Sequence, residues 1–85
     1  MQQYQIKFPE RVKKQLKTLK VIYQEEVISA LKEIQENPLQ SKPLERELTG
    51  IFSYRVGIYR ILYTVNQQNK IIILIRIGHR ATVYT

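Results

Sequence analysis

Apolar residues recur at two different spacings along the chain, helical in its first half and alternating in its second. After Pro9, which suits the first turn of a helix, apolar side chains follow at helical spacing: Val12, Leu16 and Leu19. A second helix is predicted from about Tyr23 to Glu36, and the Asn-Pro pair at 37–38 ends it because the residue before a proline disfavours the helical region. Its apolar stripe consists of Val27, Ala30, Leu31 and Ile34. Both helices are amphipathic, so we expect a helical hairpin packed on another layer.

Alternating residues predict strands on both sides of this hairpin. One strand is expected at residues 3–8, and three more at residues 51–56, 58–65 and 71–77. Gly57 forms a tight connection, and Asn-Gln-Gln-Asn at 66–69 forms a hairpin turn. Residues 39–50 lack periodicity and are predicted to be a loop. The expected fold is a single α+β domain over residues 1–85, ordered β-α-α-β-β-β, with an N-terminal strand, a helical hairpin and a curved antiparallel sheet of three or more strands.

Strand parity divides the last strands into two faces, because successive side chains on a strand point to opposite sides. A stripe of four isoleucines, Ile71, Ile73, Ile75 and Ile77, is predicted to bury against the helices. That choice leaves Arg76 and Arg80 on the open face of the sheet. Arg60 joins them if Ile61 and Tyr63 pack inward. The pattern therefore predicts one face for the core and one face that presents arginines.

The charge distribution changes the picture more than its total does. The formal net charge is +7, and Glu47 is the last acidic residue. The cations that follow it are Arg55, Arg60, Lys70, Arg76 and Arg80. Cations without nearby carboxylates usually meet an external anion, most often nucleic acid, whereas the alternative is solubility with snorkelling side chains. The lysines of the first helix, Lys13, Lys14 and Lys17, form either a solvated helix face or a contact with RNA phosphates.

Composition also excludes several classes of protein. The chain contains no cysteine, so neither a disulfide nor a thiolate metal site supports it. Residues 1–20 contain no apolar signal segment, and the longest apolar run, residues 71–75, is far shorter than the roughly 20 residues of a membrane helix. We therefore expect a cytoplasmic protein with no membrane association, no metal and no cofactor.

Two stretches carry a resemblance to a known family: "LTGIFSYRVGIYRILYTV" at 48–65, and "IIILIRIGHRATVY" at 71–84. Their order of Leu-x-Gly, Arg-Val-Gly-x-Tyr-Arg, a hydrophobic strand, Gly-His-Arg and a late tyrosine resembles the RelE/ParE superfamily of toxins from toxin–antitoxin pairs. The resemblance covers the whole chain and implies the same fold. RelE-like members cut messenger RNA in the ribosomal decoding site without metal, using basic residues and a tyrosine on the concave face of the sheet. ParE-like members target DNA gyrase and generally lack this full set.

The resemblance implies a catalytic set at the matching positions: Arg55, Arg60, Arg80 and Tyr84. Ser53 and Arg55 stand where well-studied members have the lysines that are candidates for handling the 2′-hydroxyl proton, so the identity of the general base stays open. Guanidinium groups grip phosphate and stabilise its developing charge, but they are poor acids or bases because their pKa stays above about 12. Arg80 is expected on the leaving-group side.

Three further residues are candidates, and the first two have two interpretations each. His79 is the only histidine. It is a weaker candidate acid or base, since histidine ordinarily changes charge near neutral pH. Its parity is opposite to that of Arg80, and the alternative is an exposed histidine at a strand end. Tyr84 either stacks on a base or hydrogen-bonds a phosphate, or it packs on the sheet. Arg76 has the parity of the open face and is expected to contact the RNA backbone.

The predicted function is that of a type II toxin, a ribosome-dependent endoribonuclease that stops translation. The alternatives are a gyrase inhibitor without nuclease activity and an inactive toxin homologue. The resemblance implies a cognate antitoxin, the ribosome and messenger RNA as partners, with operator DNA reached through the antitoxin complex.

Overall fold

The computed structural model describes residues 3–84, which form a five-stranded sheet with two helices on one face. The elements in chain order are β1 (Gln5–Lys7), α1 (Glu10–Lys17), α2 (Val21–Glu36), β2 (Lys42–Pro43), β3 (Phe52–Val56), β4 (Tyr59–Asn66) and β5 (Ile71–His79). The strand order across the sheet is β1-β5-β4-β3-β2. The predicted α+β class and the order of the main elements are confirmed. No helix within residues 3–84 is long and apolar enough to cross a membrane.

The core lies between the helices and one face of the sheet. The predicted stripe of α2 is confirmed, because Val27, Ala30, Leu31 and Ile34 are all buried. Val12 of α1 is also buried, and Leu16 and Leu19 pack half-buried against the same cluster. The sheet contributes Val56, Ile61, Tyr63, Ile72, Leu74 and Ile77. Burial of this shared apolar surface fixes which face of the sheet remains open.

The C-terminal strands form an antiparallel meander, as predicted, whereas β1 runs parallel to β5 with Gln5 opposite Ile71. Gly57 takes a positive φ of +59° in the two-residue connection between β3 and β4, which favours glycine because it has no Cβ. In the turn after β4, the Asn66 side chain accepts a hydrogen bond from the Asn69 backbone N–H at 3.0 Å. Both predicted hairpins are therefore present.

The segment predicted to be a loop, residues 39–50, contains a short strand and a 3₁₀ turn. Strand β2 pairs with β3 at Ser53 and Phe52, and Arg46–Leu48 form the 3₁₀ turn. The pairing is extended by the Leu44 N–H, which donates to the Ile51 carbonyl at 2.9 Å. Two residues carry too little alternation to mark a strand, so sequence periodicity gives no signal for β2.

The predicted isoleucine stripe of β5 is wrong, because a β-bulge reverses the parity within the strand. Leu62 pairs with Arg76 but Tyr63 pairs with Leu74, so Ile75 is inserted without an opposite residue in β4. Before the bulge the core residues are Ile72 and Leu74, and Ile73 is 43% exposed on the open face; after it, Ile77 is buried. Arg76 nevertheless stays on the open face, as expected.

Candidate active site

The open face of the sheet brings the predicted arginines together with one serine. Because Ile61 and Tyr63 pack into the core, Arg60 of β4 faces the open side. The register places Arg55 directly opposite Arg60 and Ser53 opposite Leu62, so Ser53 and Arg55 share that face. Arg60 lies on the central strand between Arg55 and Gly78. Strand parity therefore builds a compact cationic site from β3 and β4.

The facing arginines make this site suited to an anion. Side chains directly opposite on an antiparallel pair have Cβ atoms about 4.5–5.5 Å apart, where like charges repel. Their hydrogen-bond partners in the described chain are neutral oxygens: Arg60 Nη1 donates to Ser53 Oγ at 2.9 Å, and Arg55 Nε donates to the Gly57 carbonyl at 3.3 Å. An anion between the two guanidinium groups would relieve their repulsion and accept their remaining N–H groups.

Ser53 joins Arg60 to Tyr84. The serine is only 2% exposed, and its hydroxyl lies 3.0 Å from Tyr84 Oη as well as accepting the Arg60 hydrogen bond. Tyr84 itself is 43% exposed, so part of this residue remains accessible to a ligand. A guanidinium, a serine hydroxyl and a phenol thus form one continuous hydrogen-bonded group at the base of the face.

Tyr84 reaches Ser53 because the C-terminal turn, residues 79–84, folds back over the sheet. The N–H groups of Thr82 and Val83 donate to the His79 carbonyl, and Val83 is buried. A Cβ added to Gly78 would lie 3.3 Å from Val83 Cγ2, so the absent side chain of Gly78 provides the space for the turn. The turn, rather than a strand, positions Tyr84.

The other two predicted arginines occupy different places around this group. Arg76 faces the open side opposite Leu62 and is half-buried. Arg80 lies in the C-terminal turn with an exposed side chain, and its backbone N–H donates to the Ile58 carbonyl at 2.8 Å. Arg76 thus shares the open face with Arg60, and Arg80 lies in the turn that also carries Tyr84.

His79 and the lysines of α1 lie away from the arginines. His79 pairs with Tyr59 on the core side of the sheet, its ring stands edge-on to that tyrosine at 6.2 Å, and its Nδ1 accepts the Ala81 backbone N–H at 3.0 Å. The three lysines, Lys13, Lys14 and Lys17, are exposed on α1, which packs on the core side against β5. His79 therefore lies on the face of the sheet opposite to that of Arg60.

A cleft of about 530 Å³ opens beside this face. It is lined by Glu33, Glu36, Asn37, Gln40, Ser41, Lys42, Ser53, Tyr54, Arg55 and Arg60. On one wall the Tyr54 hydroxyl donates to Glu33 Oε2, and this hydrogen bond, followed by burial and the charge of Glu33, raises the pKa of Tyr54 to about 12. No group of three or more His, Cys, Asp or Glu side chains in residues 3–84 is arranged to hold a metal ion. The donors that line the face and cleft suit binding of a phosphate-bearing ligand.

Comparison with known proteins assigns the family. Residues 6–84 match the family model of the ParE toxin of the type II toxin–antitoxin system parDE. The chain belongs to the RelE/ParE superfamily of toxins. A chain of the RelBE2 toxin–antitoxin complex from Mycobacterium tuberculosis superposes with a TM-score of 0.84 at 32% identity, covering 93% of this chain and 100% of that one. An arginine-to-alanine double variant of free E. coli toxin RelE shares the fold, with a TM-score of 0.79, 24% identity and coverage of 95% and 88%.

A curated member of the superfamily is also similar in sequence. Toxin RelG of Mycobacterium tuberculosis is 41% identical over 56 residues, which cover 65% of this chain. The chain spans 64% of the length of that relative, so the match is partial. The matching family model is therefore named for the ParE branch, whereas the individual relatives are named RelG, RelBE2 and RelE.

Sequence reasoning missed two parts of the site of this RelE/ParE-family protein. Ser53 was noted only for standing at a lysine position, although its parity with Arg55, two residues later, already placed it on the arginine face. The cleft residues Asn37, Gln40 and Lys42 follow α2 in a segment without periodicity, and only the pairing of β2 with β3 brings them to the site. No local signal marks them.

Proposed function

We propose that this protein is the toxin of a type II toxin–antitoxin pair and an endoribonuclease that cleaves messenger RNA on the ribosome. The observation that carries the proposal is the group formed by Arg60, Ser53 and Tyr84, with Arg55 directly opposite Arg60. These residues combine two phosphate-binding cations with an accessible phenol on one open face. The similarity to RelG and to a chain of the RelBE2 complex supports the RelE branch.

The proposed reaction needs no metal. The 2′-oxygen of the RNA attacks the adjacent phosphorus, the bond from phosphorus to the 5′-oxygen breaks, and a cyclic phosphate and a 5′-hydroxyl result. Arg55 and Arg60 bind the non-bridging oxygens, whose negative charge grows in the transition state. Water accepts the 2′-hydroxyl proton, because neither Ser53 nor an arginine is an effective base, and a second water gives a proton to the departing 5′-oxygen. Tyr84 hydrogen-bonds the phosphate or the departing oxygen, and Arg80 stabilises the charge on the departing side.

The absence of a strong base favours a reaction that depends on the ribosome. Ordering the 2′-oxygen in line with the departing oxygen supplies a large part of the rate of such a cleavage. On this proposal ribosomal RNA holds the substrate in that arrangement and the toxin stabilises the charge. The site of action is then the cytoplasm, where translating ribosomes are found.

An antitoxin is the proposed protein partner, as in the complexes of the structural relatives. Exposed apolar side chains mark a surface on α2 for an amphipathic segment: Val21 is 67% exposed, Ile22 60% and Ile28 48%. A segment that also covers the arginine face would block substrate. Contact with operator DNA through such a complex is part of the same proposal.

Inhibition of DNA gyrase is the second candidate function. The matching family model is that of the ParE toxin, and Ser53 and Arg55 replace the lysines expected of an active RelE-like site. A gyrase inhibitor would act by binding and would not require Tyr84 or Arg60 as reacting groups. An inactive homologue would show neither activity.

Primer extension on a reporter messenger RNA in a purified translation system tests the proposal. We expect ribosome-dependent cuts with the wild-type protein and their loss with Arg60→Ala and Arg80→Ala. Lys32→Ala, which removes an exposed cation from α2, is the charge-matched control and should cut normally. A folded wild-type protein that makes no cuts but blocks supercoiling by purified gyrase would overturn the nuclease proposal in favour of the second candidate.

A further inference from the structure

The cleft beside β3 has the dimensions of a small-molecule site and is continuous with the proposed active site. Its volume of about 530 Å³ falls within the roughly 300–1,000 Å³ typical of ligand pockets. Ser53 and Arg60 line it on the side of the arginine face. A ligand held at Arg60 therefore has room to extend one unit further, toward the end of α2.

The two walls of the cleft carry opposite chemistry. Arg55 and Lys42 stand on the sheet side with cationic groups, whereas the end of α2 and the segment after it contribute Glu36, Asn37 and Gln40. Within residues 3–84, no side-chain hydrogen bond engages any of these last three residues, so their polar atoms are available to a ligand. A phosphate would be attracted to the first wall and repelled by the carboxylate of the second. The charges alone therefore orient a nucleotide.

Hydrogen bonds from the sheet hold the wall that contains Glu36, Asn37 and Gln40 in place. The buried hydroxyl of Tyr63 donates to the Pro38 carbonyl at 2.7 Å, which ties the segment after α2 to the sheet. The Tyr54 hydroxyl likewise holds the neighbouring carboxylate of Glu33. Groups fixed in this way lose little freedom on binding, which favours selective recognition.

We propose that this cleft binds one nucleotide of the RNA next to the scissile phosphate and selects its base. The nucleotide's phosphate lies on Arg55 and Lys42, and its base edge meets Glu36, Asn37 and Gln40. A carboxylate accepts hydrogen bonds from the exocyclic amino group of cytosine, adenine or guanine. Uracil has no amino group, and its single N3–H donor is flanked by two carbonyl oxygens that repel the carboxylate. The cleft thus prefers an amino-bearing base to uracil. This inference deepens the proposed ribonuclease function and rests on it.

Cytidine and uridine 5′-monophosphates form a matched pair of probes. They differ only at the base edge, where cytidine has a 4-amino group and uridine has a 4-carbonyl and an N3 hydrogen. Each is titrated into the whole protein while NMR follows the side-chain amides of Asn37 and Gln40. We expect the NMR signals of both amides to shift with either nucleotide. Cytidine monophosphate should do so at about ten-fold lower concentration, because one well-placed base contact discriminates by about that factor. The measurement needs no cleavage, so its failure is distinct from failure of the nuclease assay.

Two variants separate base recognition from phosphate binding. Glu36→Gln removes the carboxylate and should abolish most of the preference for cytidine monophosphate. Lys42→Gln should weaken both nucleotides by the same factor and leave the preference intact. The proposal would be overturned if the two nucleotides shifted the amide signals at equal concentrations. It would also be overturned if neither nucleotide shifted them. A response to a lysine-rich hexapeptide with none to either nucleotide would assign the cleft to a protein segment instead.

Discussion

Ser53 is the residue on which the proposed catalytic geometry depends most. Its hydroxyl accepts a hydrogen bond from Arg60 and lies within hydrogen-bonding distance of Tyr84, and its near-complete burial holds it in one place. Either hydroxyl can donate in the contact between Ser53 and Tyr84. When Ser53 donates, the hydrogen bond from Arg60 polarises its hydroxyl and strengthens that donation, and the Tyr84 hydrogen is free for the ligand. Ser53 is therefore a positioning residue in the proposed reaction.

Ser53→Ala is expected to lower the cleavage rate about ten-fold, because loss of the hydroxyl removes both hydrogen bonds. A ten-fold lower rate corresponds to the loss of about 1.4 kcal/mol of transition-state stabilisation. Ser53→Thr keeps a hydroxyl and is the control. Single-turnover cleavage on programmed ribosomes gives the rates, and urea unfolding gives the stability of each variant. If Ser53→Ala cleaves as fast as the wild type, the hydroxyl plays no positioning role.

Tyr54 gives the molecule a defined response to alkaline pH. Its hydrogen bond to Glu33, with burial and the charge of that carboxylate, raises its pKa from 10.0 to about 12. The folded state therefore holds the phenolic proton more tightly than the unfolded state. This contribution to stability is fully present below pH 10 and is lost as the pH rises from 10 to about 12.

Tyr54→Phe should flatten the fall in unfolding free energy between these pH values, because phenylalanine has no proton to lose. Urea unfolding of both proteins at a series of alkaline pH values measures the difference. Glu33→Gln keeps a hydrogen-bond acceptor but removes the charge. It should therefore lower the pH at which the tyrosinate absorbance of Tyr54 appears. Parallel stability curves for Tyr54→Phe and wild type would contradict this account.

At the scale of elements, the sequence predicts what depends on local periodicity and fails where a distant contact intervenes. The helical stripe of α2 follows from spacing alone. Spacing groups Ile61 with Tyr63 on one face of β4, and their inward packing then decides that Arg60 faces the open side with Arg55. The bulge at Ile75 was not, because an inserted residue breaks the period of two.

The edge of β5 beyond the bulge is hydrogen-bonded by a residue from the first helix. The Ile77 backbone N–H donates to Gln15 Oε1 of α1 at 2.8 Å, a contact across 62 residues of sequence. β1 pairs with β5 only from Ile71 to Ile73, so the later edge of β5 needs another acceptor. A glutamine on a helix supplies it, and no local pattern reveals such a pairing. For the same reason Tyr84, positioned by a turn beyond the last strand, was placed through family resemblance only.

Gln15→Ala should destabilise the protein by about 1–2 kcal/mol, because it leaves the partly buried Ile77 N–H without its acceptor. The neighbouring Lys14→Ala changes an exposed position of the same helix and should have little effect. Urea unfolding measures both, and hydrogen exchange at Ile77 reports the contact itself. Unchanged protection of Ile77 in Gln15→Ala would show that the glutamine does not hold this edge of β5.

At the scale of the whole molecule, the positive charge is divided between two opposite surfaces. The arginine face lies on the open side of the sheet, whereas Lys13, Lys14 and Lys17 are exposed on the helical side. One ligand strand cannot occupy both surfaces without wrapping around the sheet. Two nucleic-acid contacts fit the arrangement better, with the substrate on the arginine face and ribosomal RNA on α1. The proposed dependence on the ribosome then has a structural basis.

Lys13→Gln/Lys17→Gln should weaken association with the ribosome and lower the slope of log affinity against log salt by about two, since each lysine that contacts a phosphate contributes about one. Lys7→Gln/Lys32→Gln removes the same charge from exposed positions elsewhere and is the control. Affinity measured across a salt series distinguishes a local contact from general attraction. If both pairs lower the slope equally, net charge alone draws the toxin to the ribosome. If only the α1 pair does so, the helical surface binds ribosomal RNA while the opposite face remains free for the substrate.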